Sequence, residues 1–206
     1  MLAEKHLSLK SSARLCAGLP FEDFTKLVTA IRAAVGPAVP LWANECCGTI
    51  TGGRVGNASS IANPGQWSYI PKELDYISYD CYSVPGDGWM TPNEPPSHWN
   101  GTAEPLMARH AYKNWYHMLH EHQRVMQLPG LFGWNETVCP REVQIAALLD
   151  KLRGFWKWAK EDPLVVGMSP WHMNDRTANM GANMGPGAIN FPPVLAEMRR
   201  MLTNLA

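Results

Sequence analysis

Four short runs, apolar along most of their length and closing on polar residues, constrain this chain more than any other feature. They are VPLWANECC from Val39, LDYISYDCY from Leu74, GLFGWNETV from Gly130 and LVVGMSPWHMND from Leu164. A strand that is apolar on both faces has to be covered on both, as in a parallel sheet flanked by helices. The chain between the runs supplies those helices. FEDFTKLVTAIRAAV, 21–35, sets Phe21, Phe24, Leu27 or Val28, Ile31 and Val35 on one side, and Gly36-Pro37 then stops it. A second helix is expected over about 106–127, and it takes in His117, His120 and His122, which are expected to face solvent. A third starts at Pro140, with Val143, Ala147 or Leu148, Leu152, Phe155 and Trp156 on its apolar face, and ends at Asp162-Pro163. A last one covers about 193–204.

Two folds alternate strands and helices in this way. A doubly wound sheet usually carries a glycine-rich phosphate loop after its first strand, and Thr51-Gly52-Gly53 matches neither GxGxxG nor a Walker loop. A (βα)8 barrel builds its site on the loops that follow the strands. Here the long Gly-, Asn- and Pro-rich stretches, 48–66 and 83–105 among them, follow strands, while the helix-to-strand links at 36–39, 128–130 and 162–163 are short. The expectation is an α/β chain of TIM-barrel type, a single domain over 1–206 with 1–20 irregular. Four or five βα units make only a partial barrel, because a whole one usually needs more than these 206 residues. Open parallel edges are not tolerated in isolation, so the expectation is a piece of a longer barrel lacking an N-terminal half, or else self-association.

Lys plus Arg and Asp plus Glu both number 18, so no charge excess points to nucleic acid or an anionic membrane, and the expected ligand is neutral. No apolar run is long enough for a membrane span, and the first twenty residues lack a continuous signal-peptide core. A secreted or lumenal location would require a signal peptide on a longer chain. Nine tryptophans stand out, six of them (Trp42, Trp67, Trp89, Trp99, Trp134 and Trp171) near strand ends or in the following loops. Such rings either stack on sugar faces or plug their own loops.

The polar strand ends are the candidates for chemistry: Asn44-Glu45, Asp80 with Tyr82, Asn135-Glu136 and Trp171-His172. Polar groups there are costly unless they are paired or face a cleft, and each alone is equally explained as a cap or an ion-pair partner. Glycosidic cleavage needs one carboxyl to protonate the leaving oxygen and a second to attack the anomeric carbon or activate water. Glu45 and Glu136 meet that need from two strand ends, with Asp80 in reserve. Alternation groups Glu45 with Leu41 and Ala43, and Asp80 with Ser78 and Tyr82, on inward-facing sets; Glu136 goes with Phe132 and Trp134, so Asn135 competes with it for the cleft.

These motifs resemble the cellulase-like clan of retaining barrel glycoside hydrolases. WANE at Trp42–Glu45 is similar to the Asn-Glu ending of that clan's fourth strand, and FGWNE at Phe132–Glu136 to the strand carrying its nucleophile. The resemblance implies an acid/base role for Glu45, a sugar-hydroxyl contact for Asn44, the nucleophile role for Glu136 and a sugar platform for Trp171. Trp42, Tyr82, Trp134, Asn135 and His172 complete the expected substrate contacts, with no cofactor and no metal. The clan has two strands between its catalytic carboxyls, whereas here one is clear, 74–82. If Glu45 ends a fifth strand instead, the clan's acid/base precedes this chain and Glu45 becomes a binding or substitute catalytic residue; Glu136 keeps its place in both alignments.

Two other readings stay open. Cys46, Cys47, Cys81, Cys139, Asp80 and His172 fall at one end of the expected sheet and could ligate zinc in a metal-dependent barrel hydrolase. A truncated, non-catalytic carbohydrate-binding barrel is the third.

Overall fold

The computed structural model describes residues 21–46, 69–80, 101–113, 116–133, 136, 139–171 and 187–203. Four strands and four α-helices occupy them: α1 Phe21–Val35, β1 Trp42–Cys46, β2 Tyr76–Asp80, α2 Ala103–Lys113, β3 Arg124–Gln127, α3 Arg141–Glu161, β4 Val165–Met168 and α4 Pro192–Thr203. Single 3-10 turns lie at Tyr116–Met118 and Ala188–Asn190. The strands form one sheet, ordered β1-β2-β3-β4 and parallel throughout, so the α/β class expected from the apolar runs is present.

Local chemistry accounts for the helix limits. Glu22 and Asp23 sit in the first turn of α1 and Arg32 in its last, matching the helix dipole. Gly36, at φ 80°, returns its N–H to the Arg32 carbonyl at 2.9 Å, a left-handed cap that glycine adopts without strain. Past the end of α3, Asp162 accepts from Tyr116 Oη at 2.9 Å, Trp158 Nε1 at 3.0 Å and the Leu164 amide at 3.1 Å. The turn into β4 is thereby fixed, and burial together with the Asp162 carboxylate pushes the Tyr116 phenol well above its usual range.

Alternation along the strands then decides what is buried. Ala43, Ile77, Val125 and Val165 lie in one core with Val28 of α1, Ala108 and Tyr112 of α2, and Phe155 and Trp158 of α3. Leu131, Cys139, Ala147, Leu148, Leu152, Phe191, Val194 and Met201 make a second core where α3 meets α4. The opposite face of β1 and β2 carries Trp42, Asn44, Tyr76 and Ser78 in matching register.

Several expectations change. The helix expected over about 106–127 stops at Lys113, and Arg124–Gln127 is β3 itself. The sheet overrides helix propensity here: the Arg124 amide donates to Asp75 O and the Val125 amide to Leu164 O, so the segment is drawn in from both sides. Gln123, buried just before it, holds the carbonyls of Pro71 and Leu74. His117, His120 and His122 are exposed as expected but lie on turns and loop, the latter two against the carbonyls of Ile70 and Lys72. Over its described residues, 130–133 and 136, the run from Gly130 makes isolated bridges, Gly130 to Trp171 and Phe132 to Gly187, in place of a regular strand. On α3 the buried tryptophan is Trp158 rather than Trp156. On α1 the face turned inward is Phe21, Phe24 and Val28, where Arg32 binds Asp75 and the Glu73 carbonyl, leaving Leu27, Ile31 and Val35 exposed.

Among the described residues, both outer strands have a free edge. Beside β4, a cavity of about 530 Å³ opens between Val166, Met168, Trp156, Met198 and Leu202. Among the described residues no helix is long and apolar enough to cross a membrane.

Two measurements test this packing. A methyl at Gly101 would stand 1.7 Å from the Ala147 carbonyl oxygen in α3, so Gly101→Ala is expected to lower unfolding free energy by about 1–3 kcal/mol in urea titration. Hydrogen bonds from Arg200 and Arg153 pull the Glu197 carboxyl from 4.5 down to about 2. A lowered carboxyl contributes stability above its unfolded value that is lost as pH falls through its folded one. The urea midpoint of the wild type should therefore drop between about pH 4.5 and 2 more steeply than that of Glu197→Gln.

Candidate functional site

β1 and β2 bring their final residues together at one end of the sheet. Asn44 and Ser78 are Cα partners across β1 and β2, followed by Glu45 opposite Tyr79 and Cys46 opposite Asp80. Ser78, wholly buried, is the hub: its hydroxyl donates to Asn44 Oδ1 at 2.7 Å and accepts from Trp42 Nε1 at 2.8 Å. The Trp42 ring stays 45% exposed on the face away from the helices. It is an anchored aromatic surface at the β1 edge.

At the opposite edge, pairing of β3 with β4 extends beyond the regular strands. Ser169 donates to Gln127 O at 2.8 Å, Trp171 to Pro129 O at 2.9 Å, and the Leu131 amide to Trp171 O. Trp171, 42% exposed, is thus tied to the stretch that leads to Glu136. Glu136 itself lies in a turn, half exposed, with its carboxylate on Arg141 Nη1 at 2.6 Å. Because this residue is not in a strand, the alternation that made Asn135 its competitor does not apply to it.

Leu41 and Ala43, expected on an inward set with Glu45, pack with Ile77 in the helix-covered core, while Asn44 and Ser78 lie on the other face. Glu45 and Asp80 are placed by register alone, opposite Tyr79 and Cys46. Tyr82, Trp134, Asn135 and His172 lie outside the described residues, as do Cys47 and Cys81.

The expected zinc donors fare differently. Cys139 is buried, and burial, reinforced by Glu142, pushes its thiol up and disfavours the thiolate a metal needs. Among the described residues no group of three His, Cys, Asp or Glu side chains could hold a metal ion.

Three features escaped the sequence reading. Ser78 carries no motif. Gln127, fully buried at the end of β3, has neither amide atom hydrogen-bonded to any described residue. Lys151 and Glu104 form an ion pair of 2.7 Å with both side chains completely buried. The one available signal was spacing: Lys151 falls in the apolar stripe of Ala147, Leu148, Phe155 and Trp158, where a solvated lysine has no place.

No family model matches this chain, and no curated protein matches it either.

Replacing Ser78 by alanine leaves Asn44 Oδ1 and Trp42 Nε1 without their shared partner. Ser78→Ala is expected to cost about 1 kcal/mol in urea unfolding and to change Trp42 emission; an unaltered spectrum and midpoint would remove the hub.

Proposed function

We propose that this chain is the carboxylate-bearing part of a (βα)8-barrel glycoside hydrolase that cleaves O-glycosidic bonds of an oligo- or polysaccharide. The observation that carries the reading is the strand order. Doubly wound sheets reverse direction and bind ligands at the reversal, whereas β1 to β4 follow one another without one, as barrel strands do. Edges left free on β1 and β4 among the described residues suit a sheet that continues on both sides, since closure abolishes edges.

The chemistry assigned to the residues follows from their setting. Glu136, ion-paired with Arg141, suits the nucleophile, which acts as an anion. Its attack on the anomeric carbon breaks the bond to the leaving oxygen, and a second carboxyl gives that oxygen its proton; water later releases the sugar from Glu136. Glu45, at the end of β1, is the proton donor by the resemblance, and Asp80, at the end of the neighbouring β2, is the reserve. Trp42 and Trp171 offer exposed rings at the two edges for sugar faces. The rival reading, a non-catalytic carbohydrate-binding barrel, draws on the half-exposed position of Glu136, which is less secluded than most nucleophiles.

Hydrolysis of a panel of 4-nitrophenyl β-glycosides by the wild type and by Glu136→Gln separates the two. The glycosidase reading expects turnover by the wild type and a loss of at least about a thousandfold in the variant. Equal turnover in both proteins eliminates Glu136 as nucleophile, and sugar binding without turnover by the wild type favours the non-catalytic reading.

A further inference from the structure

Glu104 on α2 and Lys151 on α3 are both wholly buried, and besides pairing with each other they hold one residue from two sides. Glu104 Oε1 accepts from the Gly130 amide at 2.9 Å, and Lys151 Nζ donates to the Gly130 carbonyl at 2.8 Å. For stability alone this is an inefficient device, because desolvating two charges offsets most of their attraction, and Ala108 and Tyr112 of α2 already pack on Phe155 and Trp158 of α3 without charge. What an apolar pair cannot do is satisfy both backbone groups of a residue leaving the end of a strand. Gly130 is that residue: β3 ends at Gln127, and Gly130 bridges to Trp171 six positions before Glu136.

The far end of the same stretch is held by the same helix. Arg141, the first residue of α3, binds Glu136, and Gln144, one turn on, donates to the Cys139 carbonyl at 2.6 Å. Between the two grips, Gly133 leaves no space: a methyl there would stand 2.5 Å from both Gln144 Oε1 and the Phe191 ring. Helix α3 thus grips the stretch near its start through Lys151 and near its end through Arg141 and Gln144.

We infer that Glu104 and Lys151 are a positioning pair that sets where Glu136 stands, an inference that rests on the glycosidase reading for its catalytic consequence. The pair touches no reacting atom. It acts through Gly130 on the direction in which the chain leaves β3, and an error of about 1 Å at a reacting group can cost about a hundredfold in rate.

The test uses two charge-neutral double variants of the full chain, because removing a single partner would strand a buried charge. Glu104→Leu with Lys151→Met removes both bonds to Gly130; Glu104→Gln with Lys151→Met keeps an acceptor for its amide. Amide hydrogen exchange at Gly130, the thermal midpoint, and kcat and KM on 4-nitrophenyl β-glycosides are measured for each. In the first variant, exchange at Gly130 should quicken at least about tenfold, with α3 still protected. Its kcat should fall about tenfold to a hundredfold with KM within about twofold, and the second variant should recover part of both. If the first variant does not fold, the second carries the test with the same signs in smaller measure.

Unchanged exchange at Gly130, or faster exchange with kcat intact, overturns the inference. A wild type that hydrolyses none of the panel counts against the glycosidase reading instead. In that case the Glu136 amide resonance decides: its displacement in the variants supports positioning, and an unmoved resonance overturns it.

Discussion

The buried contact between Glu104 and Lys151 is the interaction on which the second half of this fold depends. It joins α2 to α3 and fastens both to the chain as it leaves β3. Breaking a pair of this kind from one side typically costs about 3–5 kcal/mol, because the abandoned charge remains in a medium that cannot solvate it. Close helix approach makes room for it. Gly101 lies against the Ala147 carbonyl and Gly154 against the Pro105 ring, where side chains would hold α2 and α3 apart.

A comparable ion pair organises the first half at the surface. Arg32 reaches from α1 to Asp75 and to the carbonyls of Glu73, Gly36 and Val39, while Asp75 also accepts the Leu41 amide at 2.7 Å. Burial pushes the Asp75 carboxyl up, but the Leu41 amide and the Arg32 guanidinium outweigh it and hold the group below its ordinary value. One charged cluster thus ties the end of α1 to the starts of β1 and β2. With both strand starts pinned, the strands run in register to Asn44, Ser78 and the residues beyond.

The candidate site follows from these two anchors. Its first part, the Trp42–Ser78–Asn44 chain of hydrogen bonds, is rigid because it is built on paired strands. Its second part, around Glu136, lies past the end of β3 and depends on side chains of α3 to hold its course. The amide of buried Gln127, unpaired among the described residues, stands between them, a polar group costly to leave unsatisfied at the end of the strand from which the second part departs.

The sequence by itself determined the class of the fold. The limits of α1 and α3, the parallel character of the sheet and the ends of β1 and β2 were legible, because periodicity, Gly36 and Pro140 act locally. Only the tertiary structure decided where β3 lies, which alternate of β1 faces the helices and which charges are buried. Arg124–Gln127 carries no strong strand pattern, and it becomes one by bonding to Asp75 and Leu164, residues remote in sequence. Ala43, not Trp42, faces the helices because small residues let the helices approach, while the large ring needs the partner it finds in Ser78. Lys151 and Glu104 read as ordinary helix charges until the fold brings them together, since a pairing between two helices leaves no local trace in either.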